Sequence, residues 1–431
     1  MRRTIPVVVG ILLLAPAAQA GDKLVTLIPR LFGPQGLFVD SEARLPSGQT
    51  HSAHFNSAFQ AEFTQFNVAL ASQLTTLPVP APASAFTYTF DESLGLFTRS
   101  TDSFGPIFSE RAETSGRGKL NFGFAFQRFT FDEIEGLPLD AIPAVFTHDN
   151  PAPGGRDDIV STVNSIETSV DQFTFFASYG LASRLDVTLA VPVVSTELNV
   201  SSSATVTRIG TAANHAVHFF RNDNGSFGDT KVFRNGGTAS GLGDVLLRFK
   251  GKAAEWGSNG LGAALEVRVP TGDEENLLGS GAFGLKPFLI FSSSHRVVSW
   301  HLNLGYQWNG QSLLAGNAAS GEKADMPDQV LYSGGVSVAV ARQLTLVAEL
   351  VGRRFLDTPR LEATTFHALD ETTTLPDVRF ESSSFSENAA SVGVRFNAKG
   401  RLLLDLNVLV SLDDTGLRDR FTPLVGFEYS F

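Results

Sequence analysis

The 431-residue chain contains no cysteine. An exported protein of this composition has no disulfides, so something else must hold its fold, and no lipid can be attached at a cysteine behind a leader. Beyond the first twenty residues there is no run of 18 or more apolar residues, so no membrane-spanning helix is expected. An excess of positive charge is missing too. Lys and Arg number 33 against 44 Asp and Glu, a formal net charge of −11, which argues against nucleic acid as a partner. Missing as well are a Gly-x-Ser-x-Gly elbow, a Ser-His-Asp order and a phosphate-binding glycine loop, so nothing recommends an enzyme and no cofactor is expected. Methionine (2) and tryptophan (3) are scarce beside 36 phenylalanines and 40 glycines.

The N-terminus reads as a secretory signal. Arg2 and Arg3 form a basic start, Val7 to Leu14 is a short apolar run, and Ala18-Gln19-Ala20 is a small-x-small cleavage site. Residues 1–20 would be removed and the mature chain would begin near Gly21. Loss of Arg2 and Arg3 takes the formal charge from −11 to −13.

So many phenylalanines in a chain of near-neutral hydropathy need an apolar place for their rings. The pattern shows where. Leu120, Phe122, Phe124 and Phe126 alternate with Asn121, Gly123, Ala125 and Gln127. Trp300, Leu302, Leu304, Tyr306 and Trp308 alternate with His301, Asn303, Gly305, Gln307 and Asn309. Successive side chains of a strand point to opposite faces, so each segment has one apolar face and one polar or small face. A lipid-facing barrel exterior accommodates the first kind of face.

The period-2 pattern places strands at 63–76, 84–97, 117–131, 160–180, 184–208, 241–255, 260–270, 284–295, 297–310, 328–341, 343–356, 380–397, 400–412 and 420–431. The expected fold is therefore all-β, an antiparallel transmembrane β-barrel of about 14 strands over residues 63–431. Short turns at 181–183, 256–259, 341–343 and 398–400 alternate with long polar connections at 132–159, 209–240, 311–327 and 357–379. That asymmetry belongs to outer-membrane barrels, whose short turns face the periplasm. Residues 98–116 depart from it: they fall on the short-turn side and are long. The last strand alternates Phe421, Pro423, Val425, Phe427, Tyr429 and Phe431, and the chain stops there. This resembles the C-terminal signal read by the outer-membrane barrel-assembly machinery, an expected partner along with membrane lipid and lipopolysaccharide. Closure is physically required, because hydrocarbon satisfies no unpaired strand edge.

Residues 21–62 are broken by proline and glycine and form either a periplasmic tail or a plug in the lumen. Phe32, Phe38, Phe55, Asn56 and Phe59 are the candidate plug residues, since apolar rings seek burial. Alternation turns Asp244, Arg248, Lys250, Glu266, Arg268, Glu349, Arg395 and Asp405 inward, together with Phe288, Ile290 and Leu403. A charge facing lipid costs about 2–4 kcal/mol at the midplane. These inward charges either form an ion-pair ladder that fills the lumen or line a polar pore. Asp273, Glu274 and Glu275 make an acidic loop, better read as solvated than as a metal site. His51 and His54 have the spacing of a metal pair without a third ligand, so no metal is expected.

Three motifs carry a resemblance: Gly241-Leu242-Gly243-Asp244, then Glu266-Val267-Arg268-Val269-Pro270-Thr271-Gly272-Asp273, then Asn303-Leu304-Gly305-Tyr306. On these, residues 160–431 resemble a family of bacterial outer-membrane proteins catalogued as "putative meta-pathway of phenol degradation". More remotely the chain is similar to the long-chain fatty acid channel and its aromatic-hydrocarbon relatives, 14-stranded barrels with an N-terminal hatch. The Asn-Pro-Ala motif typical of that hatch is met only by Asn56-Ser57-Ala58, which lacks the proline. The resemblance implies a monomeric passive channel for small hydrophobic or aromatic compounds, gated by the N-terminal segment. The alternative is a closed-lumen barrel whose long loops bind at the surface.

Overall fold

A computed structural model describes residues 23–33, 36–39, 54–56, 63–74, 76–81, 88–91, 96–99, 103–148, 158–209, 218–222, 224–318, 320–368 and 370–431. The signal sequence, its cleavage site, Phe59 and His51 lie outside these residues.

Twelve antiparallel strands close into a barrel, each paired with its neighbours in sequence. They are β1 (Leu120–Phe131), β2 (Ile159–Ala182), β3 (Leu185–Thr207), β4 (Val245–Trp256), β5 (Asn259–Val269) and β6 (Gly284–His295), followed by β7 (Val298–Asn309), β8 (Gln329–Ala341), β9 (Leu344–His367), β10 (Thr374–Lys399), β11 (Leu402–Ser411) and β12 (Phe421–Ser430). The seam joins β12 to β1, from Leu424 opposite Gln127 to Ser430 opposite Asn121, and Phe431 N–H donates to the Leu120 carbonyl. No edge is left in the ring, as a lipid environment demands.

The alternation read from the sequence is the alternation of the wall. Along β7, Trp300, Leu302, Leu304 and Trp308 are exposed while Ser299 and His301 are buried. Along β12, Phe421, Val425 and Phe427 are exposed while Thr422, Leu424 and Glu428 are buried. Apolar side chains exposed on the outside and polar ones buried inside are the inverse of a water-soluble sheet. This is the wall of an outer-membrane barrel with its belt turned to lipid. Tyr179, Trp256 and Trp300 stand on the short-turn end of the belt and Trp308 on the other, where amphipathic rings meet headgroups.

Four strands overrun the belt: β2 has 24 residues, β3 has 23, β9 has 24 and β10 has 26. A strand of about 9–11 residues suffices to cross, so these reach well past it at the long-loop end. Two further segments complete this taller wall. Ile142–His148 pairs with β2 above β1, and Thr230–Leu242 pairs with β3 above β4. The connections expected at 209–240 and 357–379 are thus partly strand, and β9 and β10 form one long hairpin turning at 368–373.

Two expected strands are not strands of the barrel. Residues 63–76 contain helix α1 (Phe63–Leu74). Its Phe66, Val68 and Leu70 mimic strand alternation. Its Ala-Leu-Ala-Ser-Gln-Leu sequence, however, is rich in good helix formers, and Phe66, Leu70 and Leu74 lie one turn apart and are buried. Within 84–97, Tyr88–Asp91 pairs only with Leu96–Arg99 in an isolated hairpin. The ring consequently has twelve strands where about 14 were expected.

Candidate functional site

The long connection on the short-turn side is not outside the barrel. Residues 103–116 run as a strap through the lumen, and Ser103, Phe104, Ile107, Ser109, Glu110, Arg111 and Ala112 are all buried. The strap has no ladder of its own, so its backbone groups are satisfied by wall side chains, as buried peptide groups must be. The Glu349 carboxylate on β9 accepts the N–H groups of Ile107 (2.8 Å), Phe108 (3.0 Å) and Ser109 (2.7 Å). Asn303 on β7 accepts from Glu110 N–H at 2.6 Å and donates to its carbonyl at 3.0 Å. Ser292 on β6 accepts from Ala112 N–H and Asp186 on β3 from Ser115 N–H.

Ion pairs tie the same strap to opposite walls. Glu110 meets both Arg248 and Lys250 of β4. Arg248 also pairs with Glu266 of β5, which in turn receives Lys286 of β6 at 2.6 Å. Lower in the lumen, Arg395 of β10 makes five hydrogen bonds, using the full donor set of a guanidinium. It donates to Asp405 of β11 (twice), to Glu428 of β12, and to the carbonyls of Phe104 (2.9 Å) and Pro106 (2.6 Å). Space for the strap is provided by small residues. A Cβ at Gly260 would come within 3.0 Å of the Ala112 Cβ, and one at Gly180 within 1.9 Å of the Gly116 carbonyl oxygen.

Above the strap lies a chamber of about 280 Å³. Phe108 and Glu110 form its floor. Its apolar lining is Leu74, Leu77, Phe129, Phe131, Leu277 and Leu278; its polar lining is Asn303, Gln307 and Gln329 together with charged groups, Arg248, Glu266, Arg268, Lys286 and Arg353 among them. The roof is α1 and the segment after it. Gln73 accepts from Leu417 N–H, Arg353 donates to the Thr76 carbonyl at 2.6 Å, and Ala81 N–H donates to the Ile107 carbonyl at 2.8 Å. Roof and strap therefore touch.

Beside the chamber the wall is thin. The β6–β7 ladder pairs Leu285 with Trp308 and then Phe288 with Gly305, without pairs at Lys286 and Pro287. Proline has no N–H to donate. On the lipid side of this gap is a second cavity, about 390 Å³, lined by Ala263, Ala264, Pro287, Leu289, Leu304 and Tyr306 among others. Phe288 and Gly305 line both this crevice and the chamber.

The eleven residues singled out in the wall divide between ion-pair networks, the strap anchor and apolar packing. Arg248, Lys250 and Glu266 belong to the upper ion-pair network, and Phe288 packs under Arg248 and Lys286, each 5.6 Å from its ring centre. Arg395 and Asp405 form the lower one with Glu428, and Glu349 anchors the strap. Asp244 and Arg268 are buried, 3.8 Å apart, and Asp244 also accepts from Gly272 N–H and from the N–H and hydroxyl of Ser280. Ile290 and Leu403 are buried and Phe288 is half-buried.

Of the N-terminal candidates, Phe32 is buried against Phe146 and Phe233, and Phe55 against His218. Both lie in the large apolar cluster at the long-loop end, which α1 shares. Phe38 and Asn56 lie on two short segments, Leu37–Phe38 and His54–Asn56, that pair with each other. The acidic loop is ion-paired, Lys23 with Asp273 and Glu275, and Lys323 with Glu274.

Sequence reasoning missed Glu110, Arg111, Asp186, Lys286 and Glu428. An overlong connection on the short-turn side, carrying adjacent Glu110 and Arg111, was the available signal.

No curated protein matches the chain. Among solved structures, it is similar to an outer membrane channel from Pseudomonas putida F1 (13% identity, 74% of this chain and 98% of that one, TM-score 0.44). A Pseudomonas aeruginosa FadL homologue also matches (12%, 81% and 94%, TM-score 0.32), as does the CymD monoaromatic hydrocarbon channel (11%, 73% and 89%, TM-score 0.27). A family model described as "Putative MetA-pathway of phenol degradation" matches residues 148–417. That span is more than half of the chain and holds all three motifs, the first two of which are joined by Thr271 donating to the Gly243 carbonyl and Gly272 N–H donating to Asp244, while Asn303 of the third holds the strap, so the chain belongs to this family.

Proposed function

We propose that the protein is a passive outer-membrane channel for small hydrophobic or aromatic compounds, gated by its N-terminal segment. The observation that carries this is a half-apolar chamber inside a lipid-belted barrel, separated from lipid only at Phe288 and Gly305. Cargo would enter at the long-loop end once residues 24–32 shift, together with α1 and residues 76–81 beside them, rest among Leu77, Phe129 and Phe131, and leave sideways through the crevice. No covalent chemistry is involved; the driving force is transfer of apolar surface from water, about 25 cal/mol per Å². Assembly through the C-terminal strand ending in Phe431 and contact with lipopolysaccharide at the long-loop end belong to the same proposal, as does export after cleavage near Ala20.

Uptake of an uncharged fluorescent arylamine by intact Gram-negative cells tests the reading. Cells making the protein should accumulate the dye several-fold faster than cells without it. Ala263→Phe, which fills the crevice from the lipid side, should remove most of that gain. The filled lumen favours a second reading, a closed barrel that binds only at its long outer strands. Equal dye entry with and without the protein would select it.

A further inference from the structure

The strap raises a separate question, what it does for a channel whose cargo leaves above it. Three observations bear on this. The strap meets the wall around most of the ring, through Asp186 (β3), Lys250 (β4), Ser292 (β6), Asn303 (β7), Ser337 (β8), Glu349 (β9) and Arg395 (β10). The chamber has Phe108 and Glu110 of the strap in its lining, and the crevice residues Ala264 and Phe288 pack beside Ala112, so cargo taking that route passes along the strap and does not displace it. Finally, the wall behind it is charged. Without the strap, Asp186, Lys250, Glu349, Arg395 and Asp405 would face an empty lumen, and a lumen lined by charge fills with water and conducts ions.

We propose that residues 103–116 are the specificity-determining element of this barrel: a fixed seal, keyed by Glu110 and Glu349, that bars ions and hydrophilic solutes while apolar cargo passes beside it. The seal works because the wall charges spend their hydrogen bonds on the strap or on one another. Glu349 is occupied by three backbone N–H groups and Arg395 by two strap carbonyls, so little is left to solvate a passing ion. Static charges in a barrel for apolar cargo thereby have a reason to be there. The proposal rests on lateral exit for the part that says the strap stays still.

Two readings in the full-length protein test it. In planar lipid bilayers with potassium chloride, the native protein should show no steady ionic current, and Glu110→Ala with Glu349→Ala should open one. To separate a released strap from a misfolded barrel, Ser103→Cys and Ser337→Cys are added; their hydroxyl oxygens lie 2.8 Å apart and the chain has no other cysteine. Oxidation of that variant should suppress the current and reduction restore it, in the same molecules. The staple alone should leave dye uptake by intact cells unchanged. Steady current through the native protein, or current through the double alanine variant that ignores the staple, overturns the seal. Loss of dye uptake on oxidation of the staple overturns the fixed strap and makes it a moving gate. If native cells take up no dye at all, the channel reading fails, and the current measurements still decide whether the strap seals.

Discussion

The two halves of the lumen are filled by different chemistry. On the short-turn side the strap is held by ion pairs and by side chains that accept or donate to its backbone. Arg395, with 1% of its surface exposed, is among the most buried large side chains of the protein. On the long-loop side α1 and residues 24–32 are held by apolar contact, with Leu24, Leu27, Phe66 and Leu70 in one cluster with Val194, Leu198 and Leu278 of the wall and loops. The difference follows from backbone geometry. A helix satisfies its own N–H and C=O groups and offers only side chains, so an apolar wall suits it. An irregular strap exposes its backbone groups and needs a polar wall, at the desolvation cost that buried charges always carry. One wall serves both because each strand changes character along its length. β9 carries Glu349 low and Leu361 high, and β10 carries Arg395 low and Val378 high.

Four substitutions can break or sharpen this contrast. Arg395→Met should be the most damaging, since it strands Asp405 and Glu428 without a counter-charge. Removing one partner of a buried pair costs about 3–5 kcal/mol, to be read as a shift in urea unfolding in lipid vesicles. Leu70→Ala attacks the apolar half by volume alone and should cost about 2–5 kcal/mol; its effect should appear as earlier protease cleavage near α1 with the barrel still folded. If instead the two variants fail together, the halves are one cooperative unit. Leu302→Arg places a charge on the lipid face and should cost about 2–4 kcal/mol in vesicles. A negligible cost there would deny that this face meets hydrocarbon. Gly260→Val crowds Ala112 of the strap and should cost about 1–3 kcal/mol as overpacking. It should also increase the accessibility of a cysteine placed at Ala112 to a water-soluble thiol reagent.

Most of the wall was legible in the sequence from residue 117 onward, because a strand with lipid on one side and a lumen on the other repeats every two residues. Trp300 to Asn309 shows this plainly, and so does Phe421 to Phe431. The inward phase of Arg248, Glu266 and Arg395 could be read for the same reason. The contents of the lumen were not legible. Phe66-Asn67-Val68-Ala69-Leu70 alternates over five residues like a strand, yet folds as a helix because no neighbour offers it a ladder and the wall offers it an apolar socket. The strap has no periodicity at all. Its partners are scattered from Ser183 to Arg395, and nothing local in residues 103–116 announces contacts hundreds of positions away. The same scattering hid Lys286, whose role as a second cation on Glu266 appears only once β5 and β6 are side by side.

The seam between β1 and β12 has a consequence for how the molecule is made. The segments lodged within the ring, α1 and the strap among them, precede β1 in the chain, whereas β12, the strand that shuts the ring, follows every other strand of the wall. A hoop cannot be fastened first and packed afterwards unless the packing is threaded through an end. The two edges of the sheet, β1 and β12, must therefore stay apart until α1 and the strap are seated, and then zip shut over them.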